Sequence, residues 1–321
     1  MADRKLWNNV INKAQKYTVN DFNRDCPNDD ACLESIKEQR FPGGVTHCVK
    51  CGVDRKHYRV TGRTAYACER CGNHIFPLAG TIFEKSTTSL YLWFYAIYLM
   101  SATKCGISAK QIQRETGVTY KTAWRMFKQI RTLMSEEISL EGSSVEVDET
   151  YAGGKRKGLR GRPAVGDLKK VPVVGIVERD TTERKGRVVA RVTKDTKMET
   201  LQGMVREYVL PKSTVYTDEF LGYGNLGLVR DENHKDMGYR HRRINHSEGV
   251  YVASAFGESI HTNTIEGFWS LIKRGIGGTH HAVSAKYLQS YLDEYSFRYN
   301  RRDVPRPMFK QLLEQVSERA R

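Results

Sequence analysis

Three acids in the second half of this chain have the types and placement that metal chemistry needs. Asp148 closes the run "VEVD", Asp218 closes "TVYTD", and Glu266 lies in "HTNTIEGFWSLIKRG" (261–275), where the basic pair Lys273–Arg274 begins seven residues further on. Carboxylate oxygens suit Mg²⁺ (or Mn²⁺), which keeps several waters and takes the rest of its shell from substrate phosphates. Two such ions about 3.5–4 Å apart would activate an attacking oxygen and stabilise a leaving one in phosphodiester chemistry. A single acid at a strand end is about as often a cap for the next turn. The three together carry the metal reading.

The elements that must hold these acids follow from patterning. Asp148 and Asp218 each follow an apolar-patterned run and so end strands expected to be largely buried. Ile265, Phe268, Trp269 and Ile272 fall at i, i+3, i+4 and i+7, which marks an amphipathic helix. Seven residues are almost two turns, so Glu266 and Lys273 share one side of it, about 10 Å apart along the axis. Glu146 and Glu149 flank Asp148, and strand alternation is expected to turn both to the opposite face; Glu219, next to Asp218, is set aside for the same reason. From Val145 onward "SVEVDETYA", "VPVVGIVER" and "GRVVARVT" read as three antiparallel strands. A helix within 196–210, the strand "STVYTDEF" and helices after Thr262 complete an α/β domain.

The first half carries a second kind of metal chemistry. Cys48-x2-Cys51 and Cys68-x2-Cys71 are two knuckles 16 residues apart, each followed by glycine. Four converging thiolates make a closed tetrahedral site for one structural zinc, and the spacing is that of a zinc ribbon. His47 could compete as a ligand, but four cysteines already close the site. Cys26-x5-Cys32, with Asp29 and Asp30 between, reads as a surface loop, and Cys105 as a core residue.

The stretch "ISAKQIQRETGVTYKTAWRMFKQIR" (107–131) gives a short helix, a turn at Thr116–Val118 and a second helix opening at Thr119. Either this is an ordinary helical hairpin or it is a helix-turn-helix. In the second case Tyr120, Lys121, Thr122 and Arg125 face outward, where a recognition helix meets base edges and phosphates. The loop "GGKRKGLRGRP" (153–163) sets Lys155, Arg156, Lys157, Arg160 and Arg162 among glycines, as a solvated tip or a phosphate clamp. Overall, 52 Lys and Arg against 37 Asp and Glu give a net charge of +15. Such an excess favours nucleic acid over membrane as a partner. The longest apolar run, "LYLWFYAIYLM" (90–100), is too short to span a bilayer. The opening MADRKLWNN has no signal-like apolar region. Seven cysteines argue against a disulfide framework. These features set the expectation of a cytoplasmic, nucleoid-associated protein.

In order, the zinc ribbon, the helix-turn-helix, "VDETYAGGKRKG", "VYTDEFLGY", "NHS", "HTNTIEGFWSLIKRGIGGTHH" and "YLDEYSFRYNRR" cover nearly the whole chain. The arrangement resembles the bacterial insertion-sequence transposases with a zinc ribbon and a DDE-type domain, relatives of the eukaryotic Merlin transposons. The resemblance implies a ribonuclease H-like catalytic fold, a mixed sheet flanked by helices. It implies binding to terminal inverted repeats, and Mg²⁺-dependent strand cleavage and strand transfer at a site of two ions. Asp148, Asp218 and Glu266 match the catalytic, magnesium-binding acids, and Lys273 the basic residue beyond the third. Lys273, Arg274 and His246 (of "NHS") are then placed against phosphate or end DNA. The family's third position can also be Asn, which makes Asn263 the alternative to Glu266. The charge of Glu holds a dication more strongly, so Glu266 is preferred. The long interval after Asp218 suggests that "LVRDENHKDMGYRHRR" holds an extra loop, with His234 and His241 meeting phosphate or solvent.

The expected domains are a helical segment (1–40), the zinc ribbon (41–82), the helix-turn-helix domain (83–136), the catalytic domain (137–303) and a helical tail (304–321). The expected partner is double-stranded DNA, both element ends and target, bound by a homodimer or larger assembly. Two other readings remain. One is a DNA-binding transcriptional regulator with an inactive α/β domain, and the other is a metal-dependent nuclease that only hydrolyses.

Overall fold

The computed structural model describes residues 13–45, 47–153, 170–245, 252–255 and 257–318. The chain forms two compact units. One holds residues up to Met134 together with those from Val304 onward, and the other is Ser135–Asp303.

In the first unit, helix α1 (Val19–Asp25) begins at a capping box made by Thr18 and Asp21. Helix α2 (Asp29–Arg40) starts where the Asn28 side chain accepts the Ala31 N–H. The segment between Cys26 and Cys32 is therefore the junction of two helices and not a surface loop. Both thiols are buried, and Asp29 accepts the Tyr91 N–H and so caps α3 (Leu90–Ala102). Between α2 and α3 lie five short strands: β1 (His47–Cys48), β2 (Val53–Asp54), β3 (His57–Arg59), β4 (Tyr66–Cys68) and β5 (His74–Ile75). The apolar helix α3 supplies much of the core through Trp93, Phe94, Ile97 and Met100. Cys105, just beyond it, is exposed, a correction to its reading as a core residue, because it falls in the turn and not on the apolar stripe. Helices α4 (Ala109–Thr116) and α5 (Tyr120–Thr132) follow, joined through Gly117.

The second unit is a five-stranded sheet with helices on both faces. Its strands are β6 (Ser144–Gly153), β7 (Lys170–Glu178), β8 (Val188–Val192), β9 (Thr214–Thr217) and β10 (Arg240–Arg243), in the order β10-β9-β6-β7-β8. The pairs β6–β7 and β7–β8 are antiparallel, while β6–β9 and β9–β10 are parallel. The stretch read as an extra loop thus contributes the edge strand β10. Period-two alternation separates two cores. Val145, Val147, Val174 and Ile176 pack with helix α6 (Met198–Tyr208) on one face. Val173, Val177 and Ala190 meet helices α7 (Asn263–Gly275) and α8 (Leu288–Asn300) on the other. The polar segment 135–144 is tethered as well as connecting: Leu140 is fully buried, and its N–H donates to Tyr208 O at 2.9 Å. A small hairpin, β11 (Ala253–Ala255) with β12 (Glu258–Ile260), precedes α7. The last helix, α9 (Met308–Glu318), belongs to the first unit, where Phe309 stacks on Tyr17 and meets Phe22 edge-on. Among the described residues no helix is long and apolar enough to cross a membrane.

Candidate active site and metal centre

The cysteine site is assembled by two turns of the same design. In each knuckle the glycine after the second cysteine returns its N–H to the first cysteine's carbonyl: Gly52 to Cys48 at 2.9 Å, Gly72 to Cys68 at 3.0 Å. Both glycines sit near φ +68°, a left-handed conformation that a side chain would strain. The four sulfurs lie within 4.8 Å of one another, with Cys48–Cys71 at 3.5 Å and Cys51–Cys68 at 3.9 Å. A zinc tetrahedron with Zn–S near 2.3 Å has edges of about 3.8 Å, so this donor set fits zinc as it stands. Backbone N–H groups of Cys71 and Arg70 pull the Cys68 thiol down to about 6, toward the thiolate that a metal needs. His47 stands outside, its Nδ1 3.2 Å from Asp54 on the paired strand.

In the second unit Asp148 lies on β6, opposite Gly175 of β7. The last parallel pair of β6 with β9 is Glu146–Tyr216; Asp148 follows two residues further along β6, and Asp218 follows directly after β9. Burial first, and then the charges of Glu149 and Asp218, push the Asp148 carboxyl up to about 7, against hydrogen bonds from Trp269 and the Glu149 backbone. An acid held this way gains from a cation that shares its charge. Asp218 also turns the chain, its Oδ1 accepting the Phe220 N–H at 3.0 Å.

Helix α7 faces Asp148. Glu266, Trp269, Lys273 and Arg274 line one open cleft with Asp148, of about 590 Å³. Asp218 is not among the residues lining it, and neither is Asn263, which is exposed at the first position of α7. The Thr262 hydroxyl donates to Glu266 Oε1 at 3.2 Å. Among the described residues, only the cysteines gather three or more metal-ligating side chains within 4.8 Å, so Asp148, Asp218 and Glu266 do not all lie within that distance of one another.

Two residues at the site were missed or misplaced by the sequence reading. Glu149 does turn to the opposite face, where it accepts the Tyr223 hydroxyl at 2.7 Å. Glu146 does not. Positions 146 and 148 differ by two and share a face, so the alternation argument itself excludes the earlier placement. Fully buried, Glu146 accepts the backbone N–H of Thr264 (2.8 Å) and Ile265 (3.1 Å), holding the N-terminus of α7. Arg179 Nε donates to it at 2.9 Å, and His261 Nδ1 lies 3.1 Å away. Trp269 was read as apolar stripe alone, yet its indole N–H donates to Asp148 Oδ2 at 3.0 Å.

Of the other positions singled out, Lys121 is exposed on the first turn of α5 and Thr122 is half-buried, its N–H donating to the Thr119 hydroxyl. Arg125 is exposed but engaged, donating to Ser86 Oγ at 3.0 Å. His241 pairs with the Thr217 hydroxyl at 2.9 Å, and burial lowers its pKa to about 4. His234 is exposed. Lys155, Arg156, Lys157, Arg160, Arg162 and His246 lie outside the described residues.

A family model described as the ISXO2-like transposase domain matches residues 139–300, and one described as the transposase zinc-ribbon domain matches residues 27–74. Over 303 residues (89% of this chain, 94% of the relative) the sequence is 30% identical to an uncharacterized protein in transposable element ISH50 of Halobacterium salinarum. A shorter match is 30% identical over 121 residues, 37% of this chain and 86% of the relative. It is to an uncharacterized transposase-like protein of Haemophilus influenzae.

Proposed function

The chain belongs to the zinc-ribbon ISXO2-like transposases, and from that premise we propose that it binds the inverted repeats of its own element and catalyses Mg²⁺-dependent strand cleavage and strand transfer. The observation that carries this reading is the cleft. It sets Asp148, its carboxyl pushed up by burial and by neighbouring acids, on a common lining with Glu266, Lys273 and Arg274. Asp148, Asp218 and Glu266 would hold Mg²⁺ or Mn²⁺. When bound, two such ions supply charge stabilisation for the attacking and leaving oxygens of an in-line displacement. Lys273 and Arg274 hold phosphate of the element end, and Glu266 is preferred to Asn263 because it alone of the two lines the cleft. Support for a ribonuclease H-like fold comes from three antiparallel strands extended by two parallel ones.

DNA recognition falls to the first unit. Helices α4 and α5 act as a helix-turn-helix, with Lys121 and Thr122 at the start of the second helix. Arg125, already tied to Ser86, steadies that helix as well as meeting DNA. The basic loop around Lys155, Arg156, Lys157 and Arg160 contacts DNA backbone, and His246 serves phosphate or end DNA. Two ends must be held together, so a homodimer or larger assembly forms on DNA. The test incubates the protein with Mg²⁺, duplexes bearing the flanking inverted repeats and a plasmid target. End cleavage followed by joining is expected. Cleavage without joining indicates a hydrolytic nuclease, and specific binding without cleavage a regulator.

A further inference from the structure

Two residues of β6, Glu146 and Asp148, hold α7, and the spacing of their partners matches. Glu146 and Asp148 are two residues apart on the strand, about 6.6 Å along it. Their partners on α7, the Ile265 N–H and the Trp269 indole, are four residues apart, about 6 Å along the helix. Strand and helix therefore run side by side in one direction, joined at two points. The Glu146 contact pins the start of the helix, and Arg179 extends that anchor by donating to the carbonyls of Ser259 (2.6 Å) and His261 (2.7 Å) just before it. The Trp269 contact pins the rotation of α7 about its axis. Glu266 and Lys273 lie three residues before and four after Trp269, on its flank of the helix, so this rotation is what aims them into the cleft.

The sheet is shaped for this indole. Gly175 sits opposite Asp148, and a Cβ there would lie 2.5 Å from Trp269 Cζ2 and 2.6 Å from Cη2. A core tryptophan usually finds some acceptor for its N–H, and a carbonyl would serve. Here the acceptor is an acid that lines the cleft. We propose that Glu146 and Trp269 are positioning residues: they set the register of α7 on β6, and the indole fixes the Asp148 carboxylate plane, so that Asp148 and Glu266 present oxygens to the same divalent ions. This rests on the metal reading of the cleft given above.

The test measures Mn²⁺ binding by electron paramagnetic resonance on full-length, zinc-loaded protein without DNA. Asp148→Ala serves as the reference for loss of the site. Trp269→Phe keeps a ring over Gly175 and removes only the N–H. Its Kd for Mn²⁺ is expected to rise by about tenfold to a hundredfold, the usual cost of removing an outer-shell partner of a metal ligand. Its metal-free melting temperature should stay close to wild type, and end cleavage should recover as Mn²⁺ is raised. Glu146→Gln is expected to shift Kd the same way. Thr264→Val, which removes one donor to Glu146 and keeps the buried charge, provides a milder version should Glu146→Gln not fold. Wild-type Mn²⁺ affinity in Trp269→Phe, with binding lost in Asp148→Ala, overturns the positioning role and leaves the metal site standing. Mn²⁺ binding that does not depend on Asp148 removes the metal reading, and this proposal with it.

Discussion

The two sites of this chain suited to metals are built on opposite plans. The cysteine site draws all four donors from two copies of one turn, and its sulfurs already stand at the separations of a zinc tetrahedron. The proposed acid site would draw Asp148 from β6, Asp218 from the residue after β9 and Glu266 from α7, far apart in sequence, and their carboxylates do not all lie within 4.8 Å of one another. A closed shell stabilises a fold. An open one leaves room for water and phosphate, which is what phosphodiester chemistry requires. Local turns suffice for the first plan, whereas the second needs a whole sheet and a helix in register.

That contrast can be tested at its largest effects first. Asp148→Ala, Asp218→Ala and Glu266→Ala should each reduce cleavage and joining by several orders of magnitude, while zinc content stays at one per chain and end binding persists. Elemental analysis and a gel-shift on the same preparations check both halves. The mirror experiment replaces Cys48 and Cys51 by serine. Zinc is then lost, the strands between His47 and Ile75 unfold and end binding weakens, yet the Ser135–Asp303 unit keeps its own thermal transition. A single transition lost as a whole would show that the two sites are not energetically separate.

Smaller effects sharpen the picture. Lys273→Ala should depress joining more than hydrolysis, and Asn263→Ala should behave as wild type. An inactive Asn263→Ala beside an active Glu266→Ala would move the third ligand by one helical turn. Metal-free stability should also depend on Asp148. Its pKa is raised from the 3.8 of an ordinary aspartate to about 7 in the fold, so the stability it contributes at low pH is lost as pH rises through 7. Asp148→Asn should therefore raise the melting temperature more at pH 8 than at pH 5, and saturating Mn²⁺ should favour the wild type instead. Smallest of all, Lys121→Ala should weaken binding to end and random DNA alike and flatten the salt slope by about one.

How much of this was legible in the sequence depended on how local the determinant was. The cysteine knuckles were readable because spacing and glycine placement define them completely. The strands of the second unit and the amphipathic α7 were readable from period. What the sequence hid was pairing across distance. Nothing near "RHRR" marks it as an edge strand, because its partner β9 lies more than twenty residues earlier. The Cys26–Cys32 segment looked like a loop because its acids are polar, yet Asp29 is used to start another helix. Glu146 is a different case. It was legible, since two residues along a strand return to the same face, and the error lay in applying alternation to both neighbours alike. Trp269 could not be read this way, because its hydrogen bond exists only once α7 lies on the sheet.

The final helix has a genetic consequence. A stop codon after Asp303 would leave every catalytic candidate and every zinc cysteine encoded. It would remove Phe309, Leu312, Leu313 and Val316, all buried in the unit they share with residues up to Met134. Each such side chain is worth about 1.5–3 kcal/mol, so losing four is comparable to the whole stability of a typical domain. A copy truncated after Asp303 would therefore be expected to lose the fold of the first unit first, with its acids still in frame.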